Sequence, residues 1–329
     1  MRGVSMNENR IVLQGTNKRD ALGFLLFVFL LPYVCACLWG HVGEETDILD
    51  GQAQTGAEDY RVGIMMEWGV WELSIEEYLV YKLESVMPAS YEEEALKAQA
   101  VLLRTELFQV FREQGGSRLE IEGDGLEKWY YDRGRQEEME PFCQAVEDTQ
   151  GVYLSYDGEP IQASYFKVSN GQTRDAGEVW HTEKSPYLSG VPCEQDKSAP
   201  DYSSQVVVSK VNYLYEVRAR IGEQYDAQDL LDGLRFTYDG AGYVTDVSFC
   251  VGEEEVGEID GEAFRYIFGL PSASFRMEQE GTQIVFYVTG VGHGFGMSQY
   301  GANSRALNGM EYPEILKEFF PGTELAKFE

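Results

Sequence analysis

Hydrophobic positions along this chain fall into three patterns: an uncharged block near the start, stretches with helical three- and four-residue steps, and short runs typical of strands. The block is A-L-G-F-L-L-F-V-F-L-L-P-Y-V-C-A-C-L-W-G, the twenty residues from Ala21 to Gly40, about the length that crosses a hydrocarbon core as a helix. Arg2, Arg10, Lys18 and Arg19 precede it; Glu44, Glu45, Asp47 and Asp50 follow, with no cation before Arg61. Flanking cations stay on the cytoplasmic side. The pattern therefore predicts a cytoplasmic N-terminus over 1–20, a transmembrane anchor over 21–40 and an exported remainder. A cleaved secretory signal is the alternative, but the apolar region of such a signal runs only about 7–15 residues, which favours an uncleaved anchor. Val34-Cys35-Ala36-Cys37 offers an imperfect lipoprotein-type cleavage site as a third option.

Residues 41–59 are polar, acidic and glycine-containing, as a solvated tether requires. Folded structure is expected from Tyr60. R-V-G-I-M-M reads as a strand, and Ser74-I-E-Glu77 as a capping box opening a helix over about Ile75 to Val86, stopped by Pro88. Ser90-Y-E-Glu93 has the same form and predicts a longer helix ending at Gly115-Gly116, with an apolar stripe through Leu96, Ala100, Leu103, Leu107 and Val110. G-V-Y-L-S-Y, an Asp157-Gly158 turn and P-I-Q-A-S-Y-F predict a hairpin. Strand-like runs recur in Q-V-V-V-S, L-R-F-T-Y-D, Y-V-T-D-V-S-F-C-V and Q-I-V-F-Y-V, with a turn at Asp239-G-A-Gly242. Helical patterns return from Val211 and from Pro313. The expectation is one mixed α+β domain over 60–329, without internal repeats.

Composition narrows the partners. Hydrophobic residues at 43% and aromatics at 13% fill a sizeable core, whereas 26 Lys and Arg against 56 Asp and Glu give a formal charge of −30. That surplus of anions opposes binding to phosphate backbones, so no nucleic-acid partner is expected. Export changes how cysteines read. Cys143, Cys193 and Cys250 lie beyond the membrane segment, and Cys143 with Cys193 is the favoured disulfide because each neighbours a turn-forming proline, Pro141 or Pro192. Free buried thiols are the alternative. A zinc site ranks lower, because His181 and these cysteines lack C-x-x-C or H-x-x-x-H spacing; no metal or cofactor is expected.

The stretch Gly290-V-G-H-G-F-G-M-S-Q-Y-G-Ala302 surrounds His293 with five glycines in a chain of three histidines. A dinucleotide loop would need a βαβ unit and an acid about 20 residues on, for which too little chain remains. Gly292, Gly294 and Gly296 instead suggest sharply bent backbone beside a cleft, with a hydrogen-bonded core histidine as the bland reading.

This stretch, continued through S-R-A-L-N-G-M-E-Y-P-E-I-L-K-E-F-F-P-G-T-E-L, closely resembles the C-terminal signature of the stage II sporulation protein D (SpoIID/LytB) family. E-E-Y-L-V-Y-K-L-E-S-V-M-P-A-S-Y-E-E-E-A-L-K-A-Q-A-V-L-L-R-T resembles its N-terminal signature, and A-V-E-D-T-Q-G-V-Y-L-S-Y-D-G-E-P-I-Q-A-S-Y-F-K-V-S-N-G-Q-T and P-Y-L-S-G-V its middle. The resemblance covers most of residues 60–329. It implies action on peptidoglycan glycan strands from the outer face of a membrane: active relatives are lytic transglycosylases working after an amidase, others modify a wall amidase. A glycan strand and a wall amidase are thus the implied partners, at the cell surface or between mother cell and forespore.

Lytic cleavage needs one carboxyl group that protonates the glycosidic oxygen and then accepts a proton from the sugar's own hydroxyl as the ring closes. The family supplies that Glu immediately before its Met-Pro. In the same register this chain has Val86, fixed by the flanking Tyr78-Leu79 and Ala95-L-K-A-Q-A. Glu84 is the fallback, although two residues on a helix point to roughly opposite faces. The resemblance also implies glycan-contacting roles for Lys97, Arg104, His293, Ser298, Gln299 and Tyr300, and for Lys167, where many relatives have His. Ordinary ion pairs at Lys97 and Arg104, and turn-stitching by the others, are the alternatives. Three readings follow: a glycan-binding, amidase-modifying protein without the acid, a divergent transglycosylase using another carboxylate, and a structural scaffold in a membrane complex.

Overall fold

The computed structural model describes residues 60–122 and 136–327. The expected anchor at 21–40 and the tether at 41–59 lie outside the described residues, among which no helix is long and apolar enough to cross a membrane. The described chain is a mixed α+β structure with two hydrophobic cores.

Strands β1 (Arg61–Met66) and β2 (Gly69–Ser74) form an antiparallel pair that leads straight into helix α1 (Ile75–Val86). The expected capping box is present: the Glu77 N–H donates to Ser74 Oγ at 3.2 Å, and the Ser74 N–H donates to Glu77 Oε2 at 2.8 Å. Met87 caps the helix in extended conformation before Pro88. Helix α2 (Glu93–Gln114) ends on left-handed Gly115, as its sequence predicts, but its start differs. Its N-cap is Glu92, with no side-chain cap, and the Glu92 N–H donates instead to Asn303 Oδ1 at 2.7 Å. A tertiary contact replaces the local Ser90–Glu93 box. The apolar stripe is also too narrow a description. Ala95, Ala98, Val101, Leu102, Phe108 and Phe111 are buried too, because α1, helix α3 (Gln136–Asp148) and strand β4 (Val152–Tyr156) surround α2.

Strand β3 (Arg118–Glu122) runs parallel to β1. The Asp157-Gly158 hairpin exists, with both residues at positive φ (51° and 80°), the geometry of a type I′ turn. Its second arm, β5 (Glu159–Pro160), is only two residues long. The remainder of the predicted arm departs, and β6 (Tyr165–Phe166) pairs in parallel with β13 (Met297–Ser298), more than 130 residues later.

Helix α4 (Ala176–Trp180) and a 3₁₀ turn at Glu194–Ser198 lead into the second core. Strand β7 (Ser203–Ser209), helices α5 (Lys210–Ile221) and α6 (Ala227–Asp232), strands β8 (Leu234–Tyr238), β9 (Val244–Val251) and β10 (Glu254–Asp260), helix α7 (Gly261–Phe268), and strands β11 (Phe275–Glu280) and β12 (Gln283–Thr289) build it. Two antiparallel sheets, β10-β9-β8 and β11-β12-β7, enclose Phe264, Phe268, Phe275 and Phe286. The two ends of this segment meet, since the Gly290 N–H donates to the Tyr202 carbonyl at 2.7 Å. Helices α8 (Gln299–Leu307) and α9 (Tyr312–Phe319) then return to the first core, and β14 (Glu324–Lys327) pairs with β4.

The expected Cys143–Cys193 disulfide is corrected: Cys143, Cys193 and Cys250 are all free. Cys143 is exposed on α3, whereas Cys193 is buried just before the 3₁₀ turn beside Arg305 and Ser169. The neighbouring prolines do not form the expected turns, since Pro141 lies inside α3 and Pro192 bridges to Gln172, and neither brings the two distant segments together.

Candidate functional site

The candidate site is assembled from the turn between α1 and α2, the loop after β6 and the glycine-rich approach to α8. Val86 is the last residue of α1, half-buried against the first core. Past it, Pro88, Ala89 and Ser90 are exposed, and the Tyr91 N–H closes the turn onto the Pro88 carbonyl at 3.1 Å. Tyr91 and Tyr300 share a neighbourhood with Asp201 and Asp196. Burial pushes the Tyr91 hydroxyl up to about 12, and the charges of Asp201, Tyr300 and Asp196 add to the rise. Lys167 forms an ion pair with Asp201, and its carbonyl accepts the Tyr300 N–H at 3.1 Å. The structure thus brings Lys167 and Tyr300 together with Tyr91 and Asp201, two residues that the sequence patterns did not single out.

Glycines shape the loop between β12 and β13. Gly292, Gly294 and Gly296 have φ of 118°, 87° and 76°, values that L side chains rarely adopt. Close packing adds a second reason: a Cβ at Gly296 would lie 2.0 Å from the Ser164 carbonyl oxygen, and one at Gly294 2.8 Å from Arg174 Cδ. The loop is pressed onto β6 and Arg174. His293 stitches it: Nδ1 accepts from the Phe295 N–H at 3.1 Å, the ring also hydrogen-bonds the Tyr165 backbone, and the imidazole stacks with Phe295 at 6.1 Å.

Burial, with the Arg265 and Arg174 charges behind it, pulls the His293 imidazole down to about 4. An exposed histidine in the unfolded chain protonates near 6.5. The folded form therefore holds this ring neutral, and the resulting stability is complete above pH 6.5 and lost as the pH falls through about 4. The loss is expected to reach up to about 3 kcal/mol. Denaturant midpoints of wild type and His293→Gln at pH 7 and pH 4.5 check it; an equally steep decline in the variant would assign the effect elsewhere.

Ser298 and Gln299 lie behind the loop. Ser298 Oγ donates to Asp196 Oδ2 at 2.6 Å and accepts the Gly301 N–H at 3.1 Å, capping α8. Gln299 Nε2 donates to Gln99 Oε1 at 3.1 Å. Asp196 is fully buried and its carboxyl is raised by that burial, against the opposing hydrogen bonds from Ser298 and Ser169.

Lys97 and Arg104 turn towards α3. Lys97 contacts Glu93, Glu94 and Asp148 at 2.5–3.0 Å; burial alone would lower its ammonium, but these carboxylates hold it above its ordinary value. Arg104 is fully buried, bidentate on Glu76 at 2.6 and 2.9 Å, and donates to the Val152 carbonyl at 3.0 Å. Its visible work is to join α1, α2 and β4.

A further arginine escaped sequence reasoning because an isolated Arg in a loop carries no periodic signal. Arg174 Nε donates to Asp239 Oδ2 at 2.6 Å and Nη1 to Glu262 Oε1 at 3.0 Å, while the guanidinium carbon sits 4.6 Å from the Phe295 ring centroid. It fastens the glycine loop to the second core.

The family model for stage II sporulation protein, SpoIID, matches residues 67–156. Stage II sporulation protein D of Bacillus amyloliquefaciens is 30% identical over 273 residues, covering 78% of this chain and 76% of its own. The chain belongs to the stage II sporulation protein D family. Stage II sporulation protein D of Bacillus subtilis is 29% identical over 314 residues, 86% of this chain and 85% of its own. A B. subtilis protein named amidase enhancer is 25% identical over 289 residues, 74% of this chain but 39% of its own. The segment matched by the SpoIID model contains Val86, Tyr91, Lys97 and Arg104; Lys167 and the glycine loop lie outside it.

Proposed function

We propose that this SpoIID-family protein is a membrane-anchored, exported binder of peptidoglycan glycan strands, acting in sporulation or wall remodelling beside a wall amidase and lacking the acid chemistry of active relatives. The names of its relatives support the setting, and the uncharged run at 21–40 with its flanking charges supports the anchor. One observation carries the chemical part: an apolar side chain, Val86, half-buried, ends α1 where the resemblance implies the family's acid. A side chain of methyl groups transfers no proton, and loss of a general acid removes about 10²–10⁴ in rate. The cluster of Lys167, Asp201, Tyr91 and Tyr300 still offers donors and acceptors for sugar hydroxyls.

A second reading, a divergent transglycosylase, is favoured by Glu106. Glu106 is exposed on α2, but neighbouring atoms still desolvate its carboxyl enough to raise it against the opposing charge of Lys82, and its own charge adds to the burial that raises the Tyr165 hydroxyl. A raised carboxyl is what a general acid needs at neutral pH. Incubating the protein with amidase-stripped glycan strands separates the readings. Strand binding without anhydro-ended sugars is expected, unchanged in Glu84→Gln and Glu106→Gln. Sustained anhydro product, abolished by either substitution, would establish the transglycosylase instead. Binding of no strand at all would leave the scaffold reading.

A further inference from the structure

The β11-β12-β7 sheet carries a groove of about 640 Å³ outside the candidate site, bordered by Phe275 and Val288 of the second core. Cross-strand register builds its floor: Ser203 lies opposite Thr289, and Gln205 opposite Tyr287, which in turn lies opposite Arg276. Side chains opposite one another on adjacent strands share a face. The lining combines hydroxyls, one amide and a flat stack, the Arg276 guanidinium carbon lying 3.7 Å from the Tyr287 ring centroid, with the apolar Phe275 and Val288. Among the described residues no carboxylate lines the groove itself, in a chain of formal charge −30, although the Tyr287 hydroxyl donates to the exposed Glu280 carboxylate at 3.1 Å. Arg276 does pair with Glu278 on its own strand, but both side chains are about half exposed (60% and 47%). Such exposed pairs are weak and exchange readily for a better acceptor.

Position ties the groove to the candidate site. Ser203 follows Asp201, the partner of Lys167, by two residues. At the same end Thr289 Oγ1 lies 2.9 Å from Ser274 Oγ, which accepts from Asn170 Nδ2 at 3.0 Å, and Gly290 begins the glycine loop. The chain thus places one end of the groove within two residues of Asp201 and one residue of the glycine loop.

We propose that the groove is a second saccharide-binding surface, seating the length of glycan strand that extends beyond the candidate site, and that Arg276 recognises the carboxylates of strands stripped of peptide. The proposal rests on the glycan-binding reading above. Hydrolysis of the amide that attaches a stem peptide leaves a carboxylate on the sugar, and a guanidinium fork matches a carboxylate with two parallel hydrogen bonds. Ser, Thr and Gln side chains both donate to and accept from sugar hydroxyls, which suits the remaining lining.

The test compares binding of long amidase-stripped strands, of long strands still bearing peptides and of short stripped oligosaccharides, using full-length wild type, the Gln205→Glu/Arg276→Glu double variant and Gln205→Glu alone. Wild type is expected to bind long stripped strands best. The double variant is expected to lose about tenfold or more in that affinity, with a flatter salt dependence, while its binding of short oligosaccharides is unchanged. Gln205→Glu, at an exposed strand position, is expected to lose in the same direction with its thermal midpoint intact. Equal binding of long strands by wild type and both variants overturns the groove and leaves the parent reading standing. Failure of wild type to bind any strand removes the parent reading, and the groove with it. A change in oligomeric state in the variants, without a change in strand binding, makes the face a contact between copies and overturns the proposal.

Discussion

Val86→Glu is expected to raise the yield of anhydro-ended sugars from amidase-stripped strands by about 10²–10⁴-fold over wild type, the range that a positioned general acid contributes. The position favours such a result. Residue 86 is the last of α1, half-buried, in a helix with no basic residue in its last turn. Partial burial and the negative end of the helix dipole both disfavour an ionised carboxylate, so the new acid would keep its proton closer to neutral pH. Because the side chain is only half-buried, the stability cost is expected to stay small beside the gain in rate. Chromatography of the digested strands reads the product. A folded Val86→Glu protein that binds strands yet forms no anhydro ends would show that more than one group has been lost, Lys167 being the next to exchange for His.

The largest stability effect is expected at Arg174. Arg174→Met removes the cation from a pair whose side chains are 2% and 1% exposed, leaving Asp239 buried with only the Ala241 and Tyr243 backbone N–H groups as donors. Breaking a buried pair from one side costs about 3–5 kcal/mol, because the remaining charge stays desolvated and uncompensated. Glu262 keeps Arg265 at 2.8 Å, so the loss centres on Asp239. The glycine loop is expected to loosen as well, since Arg174 Nη1 donates to the His293 carbonyl at 3.3 Å. Denaturant unfolding measures the cost. The double variant Arg174→Met/Asp239→Leu is expected to recover part of it, and a single variant as stable as wild type would refute the assignment of Arg174 as the fastener between loop and core.

Some of the site was readable from residues alone. The Ser74–Glu77 box fixed the start of α1, and Pro88 its end, so Val86 could be placed on the last turn of a helix before any coordinates. The alternating glycines around His293 announced bent backbone, and every one of them has positive φ. These are signals within four residues of each other, where covalent geometry and local hydrogen bonds decide.

What escaped were interactions between remote segments. Ser90–Glu93 looked like Ser74–Glu77, yet Asn303 captures the Glu92 N–H and the box does not form. Tyr91, Asp201 and Arg174 have no pattern around them that announces their neighbours. Prolines beside Cys143 and Cys193 suggested a bridge, but α3 and the loop before the 3₁₀ turn leave both thiols free.

The sequence by itself determined the family, the order of most helices and strands, the bent His-Gly loop and the apolar side chain at residue 86, because propensity, capping and steric exclusion act between near neighbours. Only the tertiary structure decided that His293 stitches its own turn, that Arg104 and Arg174 lock elements together, and that Lys167 meets Tyr91, Asp201 and Tyr300. A side chain's work depends on which atoms surround it after packing, and packing joins segments that no local rule relates.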